Sequence, residues 1–264
     1  MVARLYDMFG KLEPLKLRLK ADLRKLILEN AAWDDPISKE MKVRWTENFR
    51  MIQDCRDIMY VRCSIPSNAV SLKARIWILC DAAEGIIVGC YIGFEVPGNR
   101  WSCSNVLGKS LLAPHEWTIP RKELQGLTTA SNMKVIIERS LEGWIDTIRV
   151  GCDSEISLAW CIYENVKLNT FHRNRVNEIR SKLSLEQLHH VQGAENCADV
   201  GTRPDSVTSE CLLPGSPWLS GKDWMKVPYE DALAEGIIKT VKDIKLTNDA
   251  KKALKEGIIF DHFN

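Results

Sequence analysis

The 264-residue sequence has no excess of charge: 36 Lys and Arg face 35 Asp and Glu, a formal net charge of +1. A global electrostatic drive toward nucleic acid or acidic membranes is therefore absent, and any contact with phosphate needs a local patch or a bridging cation. The nine cysteines, at 55, 63, 80, 90, 103, 152, 161, 197 and 211, are odd in number and contain no C-x-x-C pair. This excludes a standard zinc ribbon, argues against a disulfide framework and favours a reducing compartment. No apolar run approaches bilayer length, and the N-terminal stretch MVARLYDMFGKLEPLKLRLKADL has no signal-peptide core. Gly and Pro are sparse, at 15 and 10 residues, while 45% of the chain is hydrophobic. A folded protein with a sizeable core is expected, located in the cytoplasm or nucleus, neither secreted nor membrane-bound.

Several catalytic signatures are missing as well. There is no D-[TS]-G loop of an aspartic protease and no G-x-S-x-G elbow. Gly108-Lys109-Ser110 is not a phosphate-binding P-loop, because Cys103 occupies the place of the first glycine. His189, His190, Cys197 and Cys211 fit no standard zinc spacing.

The pattern that is present divides the chain into a helical segment over 1–70, an α/β domain over 71–225 and a charged, partly helical tail over 226–264. Leu15, Leu19, Leu23, Leu26 and Ile27 recur at helical spacing, and Met41, Trp45, Phe49 and Ile52 predict the face of a second helix. IWILC (76–80), GIIVGCYIGF (85–94) and SCSNVLGKSLLA (102–113) read as three strands of an antiparallel meander. A helix over 120–141 follows, opened by Pro120. DTIRVGCD (146–153) predicts a strand, 154–164 a short helix capped by Ser154, 173–184 an amphipathic helix and 185–192 a last strand. Cys197–Arg203 begins a helix that Pro204 shortens. The expectation is a mixed five-stranded sheet flanked by helices.

Four acidic residues fall at informative places on this layout. Asp81 and Asp153 each end an apolar strand, Glu123 lies in the first turns of the long helix, and Asp199 opens the last one. A carboxylate at the edge of a buried sheet is costly unless paired or bound to a cation. Two brought together repel, so one takes up a proton or both hold a divalent ion. Oxygen-only ligands suit Mg²⁺ or Mn²⁺, and a pair of such ions suits phosphodiester cleavage.

The order D…E…D…D on this frame resembles the RNase H superfamily. Local strings narrow the resemblance: LCDAAEGIIVGCY (79–91), TIPRKELQGLTTA (118–130), VGCDSEISLAWC (150–161), HVQGAENCADVGTRP (190–204) and SPWLSGKDWM (216–225) are similar to the RNase H region of BEL/Pao-type LTR retrotransposon polyproteins. LYDMFGKLEPLKLRLKADL (5–23) and WDDPISKEMKVRW (33–45) resemble the segment joining that region to the polymerase. The resemblance implies that Asp81, Glu123, Asp153 and Asp199 are the catalytic metal ligands for two Mg²⁺ or Mn²⁺ ions. It implies cleavage of the RNA strand of an RNA–DNA hybrid during reverse transcription, beside the polymerase domain of the same polyprotein and in a cytoplasmic particle or the nucleus.

Ser154 matches the small polar residue after the third carboxylate, and Asn196 the Asn of an N-x-A-D turn. Arg121, Lys122, Arg173 and Arg175, with Ser154 and Asn196, are the candidates for contacting nucleic acid. His190 is the residue available in place of the histidine that aids product release in cellular relatives, whose basic protrusion is missing here. Trp218 and Trp224 are candidates for base stacking or for packing. The polymerase Y-x-D-D motif is absent. An alternative reading is therefore an inactive or domesticated fragment that binds nucleic acid or is purely structural.

Overall fold

The computed structural model describes residues 5–244 apart from 31, 33 and 164–166. The tail beyond 244, with the second of two EGII strings (256–259), lies outside the described residues. Helices α1 (Glu13–Leu28) and α2 (Lys39–Arg56) lead into β1 (Ala74–Ala82), β2 (Ile86–Val96), β3 (Arg100–Trp101) and β4 (Ser104–Leu111). Then come α3 (Ile119–Ser140), β5 (Ile145–Cys152), α4 (Glu155–Ile162), α5 (Thr170–Lys182), β6 (Leu188–Val191), α6 (Pro217–Ser220), α7 (Tyr229–Ala234) and β7 (Ile238–Thr240).

The sheet is mixed and runs β2-β1-β5-β6-β7, with β3 and β4 both on the outer edge of β2. β1, β5 and β6 are parallel; β2, β4 and β7 pair antiparallel to their neighbours. Seven strands form where five were expected. The two additions are short, one a two-residue return after the Gly98–Asn99 turn and one contributed by the segment after α7.

Strand β1 is buried along its whole length and sorts its side chains by the two-residue period. Ile76, Ile78 and Cys80 enter the core shared with α3, α4 and α5. Trp77 and Leu79 enter the opposite core, shared with α1, α2 and the segment from 191 to 238. The long α3 presents Leu124, Leu127, Ala130, Met133 and Ile137 to the first core, as its spacing predicts.

Helix α1 departs from its expected stripe. Leu15, Leu17 and Leu19 are buried, but Leu23 and Ile27 are exposed. Only the first half of α1 is enclosed, between β4 and the 197–206 segment, so apolar spacing in the second half has nothing to pack on. In α2 the buried face is Met41, Asn48, Met51 and Cys55, with Phe49 exposed. Asn48 sets this face: it donates to the fully buried Asp22 at 2.7 Å and accepts from Arg18 at 2.7 Å, while Arg44 pairs with both Asp22 and Asp205. Buried charges persist when paired and hydrogen-bonded, and this network ties both helices to the loop after Asp199.

The N-terminal strap closes the β4 edge through a glycine–glycine contact. Gly108 donates its N–H to Phe9 O at 2.8 Å. A Cβ on Gly108 would sit 2.2 Å from Gly10 O, and Gly10 itself has φ +67°. Trp218 is fully buried and donates Nε1 to Lys11 O; Trp224 donates to Glu195 O. Both tryptophans are packing anchors with their polar atoms satisfied.

The segment after β6 is a 3-10 turn (Cys197–Gly201) where an α-helix start was expected. Its bonds close at i to i+3: Asp199 N–H to Asn196 O and Thr202 N–H to Asp199 O, both 3.2 Å. Pro204 follows at once and cannot extend an α-helical ladder.

Candidate active site

Asp81 belongs to β1 and Asp153 follows the last residue of β5. The parallel register pairs Leu79 with Gly151, so continuing it by two residues sets Asp81 opposite Asp153 at the C-terminal edge of adjacent strands. The two carboxyl groups are hydrogen-bonded to each other. Burial first, and then the negative charge of Asp153, push Asp81 up to about 7. Asp153 is raised as well, by burial and then by the charge of Glu123.

Glu123 is supplied by the second turn of α3 and is raised in turn by burial, although a hydrogen bond from Ser154 opposes the shift. That bond runs from Ser154 Oγ to Glu123 Oε2 at 2.6 Å. The same hydroxyl accepts Ser157 N–H at 3.1 Å, the N-cap of α4.

Asp199 stands apart in its contacts. Its carboxylate is 44% exposed and accepts from Arg203 Nη1 at 2.7 Å. Its charge still reaches two of the other three positions, adding to the proton affinity of Asp81 and Asp153. Among the described residues, no three His, Cys, Asp or Glu side chains are arranged to hold a metal ion. The donor set is nonetheless all oxygen, and two of its members, Asp81 and Asp153, carry the mutual repulsion that a divalent cation relieves. Glu123 and Asp199 have their carboxylates turned to Ser154 and Arg203.

The remaining candidates divide by burial. Ser154 is buried and committed to Glu123 and α4. Asn196 is buried, donates Nδ2 to Cys80 O at 2.9 Å and accepts Ala198 N–H at 3.1 Å. It thereby locks the turn bearing Asp199 onto the end of β1. Lys122 is buried and donates to Ala83 O at 3.0 Å, beside Asp81. Arg173 is exposed near the start of α5. Arg121 and Arg175 are half-buried against aromatic rings. His190 pairs with Cys152 across β5 and β6, and its ring lies against the Asp153 backbone, where burial lowers its proton affinity.

Two residues of the site escaped sequence reasoning. Thr202 is hydrogen-bonded to Asp81 and places its own hydroxyl on Asp199 O at 3.1 Å. Arg203 supplies the positive charge beside Asp199, and its own charge is strengthened by Asp199, Asp81 and Asp153. Both lie in the string ADVGTRP, where the spacing Asp199 to Arg203 was a helical i,i+4 signal for an ion pair.

The family model for the Pao retrotransposon-like RNaseH-like domain matches residues 1–154. The chain belongs to this family. The match takes in α1, α2, the meander, α3 and β5, and with them Asp81, Glu123 and Asp153; Asp199 lies beyond it. Membership of an RNase H-like family supports a nuclease-type role in general terms, and the mixed sheet flanked by helices is consistent with such a fold. No curated protein matches the chain. No helix among the described residues is long and apolar enough to cross a membrane.

Proposed function

We propose that this retrotransposon domain is a nuclease of RNase H type that hydrolyses the RNA strand of RNA–DNA hybrids during reverse transcription. The observation that carries the reading is the Asp81–Asp153 pair, two carboxyls held together on adjacent parallel strands, Asp81 raised in proton affinity by burial and the charge of Asp153, and Asp153 by burial and the charge of Glu123. Folding places like charges together at a cost, and perturbed carboxylates of this kind concentrate at functional sites.

Asp81 and Asp153 would hold Mg²⁺ or Mn²⁺, with Glu123 and Asp199 completing a set for two ions. When bound, the ions supply activation of water and neutralisation of charge at the phosphodiester. The chain's own groups do the positioning. Ser154 holds Glu123 at the first turns of α3, Asn196 fixes the Asp199 turn against β1, and Thr202 orients Asp81. The polymerase domain of the same polyprotein is the proposed partner, in a cytoplasmic particle or the nucleus.

A second reading has one observation in its favour. Glu123 and Asp199 face Ser154 and Arg203, and no three-ligand metal arrangement exists among the described residues. This suits a domesticated fragment that binds nucleic acid without turnover, or is purely structural. Cleavage of an end-labelled RNA–DNA hybrid in millimolar Mg²⁺ or Mn²⁺ separates the two. The nuclease reading expects RNA-strand products that vanish in Asp81→Asn and Asp153→Asn. Equal cleavage by the wild type and both variants would remove the site assignment; hybrid binding with no cleavage by the wild type would favour the second reading.

A further inference from the structure

Lys122 and Glu123 are neighbours on α3, and each bonds the chain just beyond one of the paired aspartates. Glu123 accepts from Ser154, the residue after Asp153, at 2.6 Å. Lys122 Nζ donates to Ala83 O, two residues after Asp81, at 3.0 Å. The start of α3 thus straddles the ends of β1 and β5. Consecutive side chains on a helix diverge by about 100°, so one turn of α3 reaches both strand ends.

Close packing brings the helix within this reach. Gly126 lies one turn beyond Lys122 on the same face. A Cβ there would meet Ile86 Cγ2 at 3.3 Å and Cys80 Cβ at 3.7 Å. Its absence lets α3 lie against β1 and β2, with Lys122 over the turn that joins them. Lys122 is 9% exposed, with Arg24 and Glu84 as charged neighbours.

The same turn is held from its other side. The N–H groups of Glu84 and Gly85 donate to Thr202 O at 3.1 and 3.0 Å, and Thr202 N–H donates to Asp199 O. Thr202 is also hydrogen-bonded to Asp81. The turn after Asp81 is therefore a shared anchor. It holds the helix bearing Glu123 through Lys122, and the turn bearing Asp199 through Thr202.

We infer that Lys122 is a positioning residue, fixing the first turns of α3 on the β1–β2 turn so that Glu123 stays beside the Asp81–Asp153 pair. It acts through Glu123 and touches no nucleic acid. The inference rests on the nuclease reading, which makes Glu123 a ligand for the divalent cation. Lys122 gives α3 a fixed point on β1 that is independent of Ser154. Without it, the place of Glu123 depends on the Ser154 hydroxyl alone. Residues that orient a metal ligand from outside are commonly worth about 10- to 100-fold in metal affinity.

Calorimetric titration of the full chain with Mn²⁺, without nucleic acid, tests this. Lys122→Met should bind Mn²⁺ at least about tenfold more weakly. Lys122→Arg, which can still donate to Ala83 O, should restore most of the affinity. Lys134→Met is the control for lost packing: it removes another buried lysine of α3, about three turns on and paired with Glu138 at 2.9 Å. Whatever its melting temperature, its Mn²⁺ affinity should match the wild type. In EDTA, Lys122→Met should bind an RNA–DNA hybrid with the wild-type slope of log K against log salt, because the ammonium is committed to Ala83 O. If Lys122→Met fails to fold, Lys122→Gln, neutral and one bond shorter, carries the same comparisons.

Wild-type Mn²⁺ affinity in folded Lys122→Met overturns the positioning role, as does equal weakening in Lys134→Met or a wild type that binds no Mn²⁺. A salt slope shallower by about one unit overturns it too, and makes Lys122 a phosphate contact. Weakened Mn²⁺ binding in Lys122→Met, with no hybrid cleavage by the wild type, would sink the nuclease reading and leave the positioning role standing. Cleavage by the wild type with Mn²⁺ affinity unmoved in Lys122→Met would do the reverse.

Discussion

Ser154 donates its hydroxyl to Glu123 across 2.6 Å while the same oxygen caps α4 through Ser157 N–H. One side chain thus fixes both the orientation of a carboxylate from α3 and the start of the helix that follows β5. Burial pushes Glu123 toward the protonated state, and the Ser154 bond is the interaction that opposes it.

Ser154→Ala should therefore have two separable effects. Loss of the cap costs about 1 kcal/mol, readable by urea denaturation. Glu123 should also rise further in proton affinity, so that cleavage falls most at acidic pH and recovers partly toward alkaline pH. Ser154→Thr, which keeps the hydroxyl, should restore both. A pH profile identical to the wild type in Ser154→Ala would show that the bond does not tune Glu123.

The Asp81–Asp153 pair predicts an unusual dependence of stability on pH. Asp81 rises from the ordinary carboxylate value to about 7 on folding. Between these limits the folded chain binds more protons than the unfolded chain, so this residue's contribution to stability falls as pH rises from about 4 to 7. In Asp81→Asn the contribution disappears. Denaturation at pH 5 and pH 8 without divalent ions should show the wild type losing more stability than the variant over that interval. Adding Mg²⁺ or Mn²⁺ at pH 8 should stabilise the wild type by mass action and the variant far less. Equal responses of the two proteins at both steps would contradict the repulsion between the pair.

Arg203 occupies the position of a counter-cation for Asp199. Both partners are substantially exposed, so Arg203→Ala should change stability by less than about 1 kcal/mol. Its effect should appear in cation binding. With the guanidinium gone, Asp199 is released toward the other carboxylates, and Mn²⁺ should bind more tightly by calorimetry. Asp199→Asn should weaken Mn²⁺ binding. If Mn²⁺ affinity is the same in wild type, Arg203→Ala and Asp199→Asn, Asp199 is outside the ligand set.

The contrast between Asp81 and Asp199 shows how far linear pattern reaches. Asp81 ends a run, Ile76 to Cys80, that is apolar on both faces because helices cover both sides of β1. Such a strand is legible locally, and so is the acid at its end. Asp199 was placed on a helix that the structure replaces by a 3-10 turn, because Asn196 spends its side chain on Cys80 O, 116 residues earlier, and on Ala198 N–H. Likewise the buried face of α2 followed Asn48 and its pairing with Asp22 and Arg18, not the apolar spacing through Phe49.

What the sequence determined by itself were the features that depend on local periodicity: the buried strands, the long α3 with its proline start, the cap at Ser154 and the order of four carboxylates along the chain. Tertiary structure alone decided which groups meet. It joined Asp81 to Asp153 through parallel register, turned Glu123 to Ser154 and Asp199 to Arg203, and laid Arg121 and Arg175 on Phe171. The physical reason is that periodicity is written over neighbouring residues, whereas charge and hydrogen-bond partners are chosen by proximity in space, between residues that the chain keeps as much as 207 positions apart.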